Sequence, residues 1–552
     1  MTKVAFDEDA GARASWLPMG IVAMAQILMI FNVSSLQVSI EGISASFKAP
    51  ATVVGTAIVA YSLVVAGLIM LASRLSQHFG SRRVFRVMVA IFGAAMALMA
   101  FSPVASVMIA AQVIAGIAAA ALVPALVVLI ADNYRGRQQE QALGLLGGAQ
   151  AMGIVLAFLI AGALSTWIGW RYSFGLLVLL SGATYQLSRN LSPVKSQAPL
   201  RVDWVGVALS ASAVFLISIG ANNLVHWGLL LAGPGAPFSI VDMSPAPIMI
   251  LCGVFLIQAF FAWTRKRKAR GKTSLIALEV VESPGERIAA FSILIIGALS
   301  SAVTFLIPLY IQVVQNRTGL QTAVAIIPFS LASFAAAVLV VRTYHRLSPR
   351  QIARYAFLLV SVGVALLGTV IRNDWGAGAV ILSMMMAGFG EGALVTVLFN
   401  VLVTASPKEL AGDVGSLRGT TNNLAAAIGT ALASVLVVGV LGSTVHRELV
   451  HNLVVPNQLK TELNLDQVTF ISNNQLGRIL AETTATPEQV GEAVRINTSA
   501  RIVALKVSLF TLAGLALLAF LPAGALPNYV RGELPGEQAS PKPRENNPDQ
   551  PT

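Results

Sequence analysis

Glu391 stands alone among apolar residues, in the run Gly388-Phe389-Gly390-Glu391-Gly392. An acid halfway along a membrane-crossing helix is costly unless it is protonated, paired or facing water. Its chemistry there is that of a proton carrier, or of an anionic site for a lipophilic cation. The flanking glycines leave room for another helix or a substrate to approach. The rival reading is a carboxylate neutralised by a neighbouring cation, and Arg418 in the next apolar run is the obvious partner. At 1.5 Å per residue Glu391 lies about 20 Å from the end at which Arg418 sits one or two turns in, a difference of roughly 10 Å that argues against a direct pair. Three amides, Asn32, Gln37 and Gln112, lie in other apolar runs, as does Gln150. Such amides either hydrogen-bond between helices or line a polar, uncharged cavity, and the residues alone leave both open.

The elements that position these groups are membrane helices. Of the 552 residues 56% are hydrophobic and 11% charged, whereas soluble domains carry roughly 25% charged residues. The net charge of +12 is scattered through short loops, which argues against nucleic acid as a partner. A single cysteine, Cys252, excludes disulfides within the chain and a cysteine-based metal site. No metal constellation, nucleophile triad or nucleotide-binding glycine loop stands out, so neither an enzyme, an ATP-driven pump nor a cofactor is expected. The first apolar stretch follows Asp7, Glu8 and Asp9 rather than a basic leader, and reads as a retained span.

A crossing helix needs about 20 apolar residues, because lipid offers the backbone no hydrogen-bond partners. About fourteen such runs follow one another, from 17–40 to 503–522. One set of loops holds Arg74, Arg82, Arg83 and Arg86, then Arg135 and Arg137, Arg189, Lys195 and Arg201, the cluster from Arg265 to Lys272, and Arg342, Arg346, Arg350 and Arg354. The opposite short loops hold little beyond Lys48, Arg171, Arg317 and Arg372. Positive-inside places the basic loops and both termini in the cytoplasm. The polar stretch 442–499 is then an external insert. Within it Thr486-Pro487-Glu488 reads as a helix start leading into the last span, and Val468 to Ile471 as one strand of a small hairpin. The tail 531–552, rich in Pro, Glu and Asn, reads as disordered. The fold class is all-α integral membrane.

The basic hairpin from Ser73 to Arg83 has Leu75, Gly80, Arg82 and Arg83 in the spacing of a known transporter loop, with Gln77 where that loop has an acid. Further blocks in register are Pro308-Leu309-Tyr310-Ile311-Gln312 with Gly319, Ala323 and Pro328; Trp170-Arg171 with Phe174; Asp203-Trp204 with Gly206; and Ala411-Gly412 with Gly415 and Ser416. Arg346 to Arg350 is similar to a worn second copy of the opening loop. In order and spacing the chain resembles the major facilitator superfamily, in its fourteen-span drug:proton antiporter branch. The resemblance implies a six-helix bundle over 1–190, two added helices and a basic loop over 191–286, and a second six-helix bundle over 287–530. Substrate would bind between the bundles near the midplane and be reached alternately from each side. It also implies a cytoplasmic gate built on Gln77, Gly80, Arg82 and Arg83, with Asp203 and Arg418 at neighbouring helix ends.

The departures concern coupling. The branch's first-span acid is replaced within Phe31-Asn32-Val33-Ser34-Ser35-Leu36-Gln37, its fourth-span arginine is Gln112, and its fifth-span Gly-Pro pair is Ala157-Phe158. Amides keep polarity but do not titrate, so the usual proton machinery is expected to be missing from the first bundle. Glu391 is the residue expected to take its place, with Asn32, Gln37 and Gln112 as cavity partners. The reading is a secondary transporter that exports amphipathic small molecules, coupled to protons. One rival is an uncoupled facilitator, importer or lipid transporter, and another a transport-dead membrane sensor. The expected partners are an amphipathic small molecule, protons, membrane lipids at the basic cluster, and a periplasmic partner at the insert.

Overall fold

The computed structural model describes residues 15–134, 136–191, 202–228, 230–233, 235–239, 241–272, 275, 284–343, 346–372, 377–405, 411–450, 452, 473, 476–477, 480 and 486–528. In order the helices are α1 (Leu17–Val38), the short α2 (Ile40–Phe47), α3 (Thr52–Phe79), α4 (Ser81–Ala100), α5 (Ala105–Asn133), α6 (Gly136–Trp167) and α7 (Trp170–Leu187). There follow α8 (Trp204–Trp227), α9 (Pro245–Ala269), α10 (Pro284–Leu309), α11 (Gly319–Thr343), α12 (Pro349–Val370), α13 (Ala377–Ala405), α14 (Ala411–Val450) and α15 (Pro487–Leu518). Twelve of these are long and apolar enough to cross a membrane. The other two long helices complete the expected fourteen. In α6 the apolar part is Gly153–Trp167, and α7 is an 18-residue helix that includes Arg171, Thr184 and Gln186.

The helices form two six-helix bundles with an added pair. In the first, α1 packs on α6 and α7, α3 on α5, and α4 on α5 and α7. In the second, α11 and α12 both pack on α13, α10 on α14, and α12 and α14 on α15. The pair α8–α9 holds together and lays α8 against both α3 and α14, covering a seam between the bundles. Apolar contacts run the length of that seam, from Ile69, Phe260 and Leu275 to Val59, Ala427 and Ala431.

Between helices without a hydrophobic driving force, close approach decides packing. The second bundle achieves it with α13. A Cβ on Gly388 would lie 2.3 Å from the Phe329 carbonyl oxygen, and one on Gly392 would lie 2.0 Å from that of Ser333, both on α11. On a different face, a Cβ on Gly390 would lie 2.7 Å from the Ala356 oxygen of α12. The glycines around Glu391 thus wedge α13 between two helices and fix which way Glu391 points.

The expected insert begins later and ends earlier than 442–499. Helix α14 continues to Val450, because Ser443 to Val450 contains neither glycine nor proline to stop it. Helix α15 starts at Pro487 under a capping box of Thr486 and Gln489 and runs unbroken into the last span. The strand expected at 468–471 and the tail 531–552 lie outside the described residues.

Candidate functional site

Glu391 lies halfway along α13 and turns toward α10, where the Ser300 hydroxyl donates to its Oε1 at 2.5 Å. Glu391 as a residue is half-buried. Among the described residues no cation pairs with it. Arg418 is engaged elsewhere, with its guanidinium carbon 4.0 Å from the centroid of the Phe399 ring. A ring face offers a desolvated cation an attraction that needs no carboxylate. One turn below Ser300 on α10, Gly297 faces α14, and a Cβ there would lie 3.7 Å from Asn422 Oδ1. Asn422 is exposed. Ser300 is a polar partner of the carboxyl that sequence reasoning missed, since it does not interrupt its apolar run with a charge.

The first bundle holds its polar groups differently. Asn32 Nδ2 donates to Gln112 Oε1 at 2.8 Å, and Gln112 Nε2 returns a bond to Asn32 Oδ1 at 3.0 Å. Both residues are 0% exposed. Two antiparallel bonds between planar amides reproduce the two-point shape of a carboxylate–guanidinium pair without its charges. These amides face each other and not an open cavity, which corrects the expectation that they line one.

Gln37 is also buried, and it acts through its backbone. Gln312 Nε2 donates to the Gln37 carbonyl at 2.9 Å, while Gln312 Oε1 accepts from the Glu41 N–H at 3.1 Å. Gln312 sits in a π turn, Tyr310–Val314, that continues α10 beyond Pro308. Nearby, the Leu320 N–H donates to Thr166 Oγ1 at 3.0 Å. A Cβ on Gly162 would lie 2.8 Å from the Gly319 oxygen, so the room for close helix contact that Ala157-Phe158 removes survives at Gly162. These three bonds cross between the bundles, and all lie at the end opposite the basic loops.

At the basic end, Gly80 joins α3 to α4 at φ 86°, a conformation glycine adopts at no steric cost. Arg82 donates to the Arg189 carbonyl at 2.5 Å, Arg83 is exposed, and Arg86 lies over the Tyr185 ring at 5.0 Å. These contacts tie α4 to the end of α7 within one bundle. The Gln77 side chain lies outside what is described. Asp203 is 2% exposed and caps α8 by accepting from the Gly206 N–H at 3.0 Å. It also accepts from Trp263 Nε1 at 3.0 Å and pairs with Arg267 Nε at 3.4 Å, both on α9. Asp203 thus joins the added pair, and its partners here belong to neither bundle.

The sequence model of the Major Facilitator Superfamily matches residues 22–430. The probable actinorhodin transporter of Streptomyces coelicolor is 24% identical, over 78% of this chain and 73% of its own. The multidrug efflux pump LfrA of Mycolicibacterium smegmatis is likewise 24% identical, over 76% and 80%. A crystal structure of the peptide transporter POT in complex with sulfate shares the fold, with a TM-score of 0.58 at 13% identity over 92% of this chain and 93% of that one.

Proposed function

Since the chain belongs to the Major Facilitator Superfamily, we propose that it is a secondary transporter exporting amphipathic small molecules, with Glu391 as the group that takes up a proton or a lipophilic cation. The observation that carries this reading is the carboxyl at mid-helix, held by Ser300 and without a cationic partner among the described residues. An acid so placed can exchange a proton for a cationic substrate, because either one neutralises it. The relative named a multidrug efflux pump supports the direction and the substrate class. The basic loops support an orientation in an inner membrane with one end of the bundles, and both termini, on the cytoplasmic side. The opposite end, closed by Gln312, Thr166 and Gly162, then faces outward and works as the outer gate. Lipids would meet the basic cluster of α9, and a periplasmic partner would meet the outer insert.

The test is transport of a lipophilic cation into proteoliposomes under an imposed pH gradient. Wild type should concentrate it, and Glu391→Gln should lose at least about 90% of the gradient-driven rate, a loss of 1.4 kcal/mol or more. The closed amide pair of Asn32 and Gln112 favours a second reading, an uncoupled carrier. Equal, pH-independent rates for both proteins would establish that one.

A further inference from the structure

Arg501 heads the fully buried side chains by volume, at 1% exposure, and the transport cycle above gives it no task. It lies on α15, about 21 Å from the helix start at 1.5 Å per residue. A guanidinium is costly to enclose unless its donors are used. Here they reach in two directions. Nη1 donates to the Val313 carbonyl at 2.9 Å, and Nη2 donates to Asn473 Oδ1 at 2.7 Å. Asn473 belongs to the chain between α14 and α15. It also accepts from Asn497 Nδ2 at 3.0 Å and donates to Thr498 Oγ1 at 2.8 Å. Val313 belongs to the π turn, and its neighbour Gln312 makes the crossing bonds to Gln37 and Glu41.

A π turn changes the register of a helix, so the carbonyls around it need other partners. A planar fork of five donors can serve a carbonyl on one side and a side-chain amide on the other, which an ammonium does less well. We propose that Arg501 is a positioning residue for the outer gate: it couples the external insert to the gate through the chain Asn473, Arg501, Val313, Gln312 and Gln37. The inference rests on the transporter reading, but its test reads gate accessibility and not transport, so the two can fail separately.

The reporter is Ser165→Cys in a Cys252→Ser background. Ser165 lies at the crossing point, with its Cβ 3.4 Å from where a Cβ on Gly319 would be. Its rate of labelling by a membrane-impermeant maleimide is measured in spheroplasts. Asn473→Ala and Arg501→Gln should each raise that rate roughly tenfold, as expected for loss of a hydrogen bond to a charged group. Arg501→Lys should fall between wild type and Arg501→Gln. Gln312→Ala should raise the rate on its own, and adding Asn473→Ala to it should change nothing further. A wild-type labelling rate in Asn473→Ala would overturn the proposal, as would independent, multiplying effects of Asn473→Ala and Gln312→Ala. Those two variants decide the matter even if Arg501→Gln does not fold, because neither removes the buried cation.

Discussion

In the first bundle Asn32 of α1 meets Gln112 of α5, and in the second Glu391 of α13 meets Ser300 of α10, each pair joining two helices away from their ends. The chemistry of the two pairs is opposite. The amide pair is sealed, with each member donating to and accepting from the other. The carboxyl accepts a single hydroxyl bond, on a residue that is only half-buried. A reciprocal neutral pair holds two helices together and has no proton to exchange. A carboxyl whose one partner is a neutral hydroxyl, with no cation beside it among the described residues, keeps the ability to gain and lose a proton. Under the proposed reading, the two bundles have divided fastening and coupling between them.

The largest effect should come from displacing α13. In Gly392→Ala the added Cβ meets the Ser333 carbonyl oxygen at 2.0 Å, and backbone cannot swing aside as a side chain can. The expected cost is about 1–3 kcal/mol or more, read as a lower Tm in detergent, together with loss of gradient-driven transport. Gly378→Ala on the same helix meets nothing within 4 Å and should leave both unchanged. Next comes the amide pair. Asn32→Leu strands the Gln112 amide in a buried site at a cost of about 1–3 kcal/mol, and Asn32→Leu with Gln112→Leu should recover much of the lost Tm. Neither should alter the pH dependence of transport, and a change there would show that the first bundle takes part in coupling. The smallest effect belongs to Ser300→Ala. One hydrogen bond of about 1 kcal/mol predicts a transport rate lowered about fivefold but still driven by the pH gradient.

What could be read from the chain followed from constraints that act locally. Lipid forces the backbone to satisfy itself, so the membrane helices are visible as apolar runs, and the cost of a buried acid singles out Glu391. Thr486 with Pro487 marks a helix start, and the capping box is there. Partners distant in sequence leave no such mark. Asn32 and Gln112 are 80 residues apart, and Gln37 and Gln312 are 275 apart. Each of these amides is visible as polar, but whether it faces a cavity, a twin or a backbone carbonyl depends on packing. Arg501 was illegible for another reason. It stands just before the apolar run 503–522, where an arginine ordinarily marks a solvated helix end, and it is buried against partners distant in sequence, Val313 and Asn473.

The most direct measurement is of protons released when a lipophilic cation such as tetraphenylphosphonium is added to purified protein in weakly buffered detergent solution. Wild type should release protons on binding, Asn32→Leu should release the same number, and Glu391→Gln should release none. Equal release from wild type and Glu391→Gln would contradict the assignment of coupling to the second bundle's carboxyl.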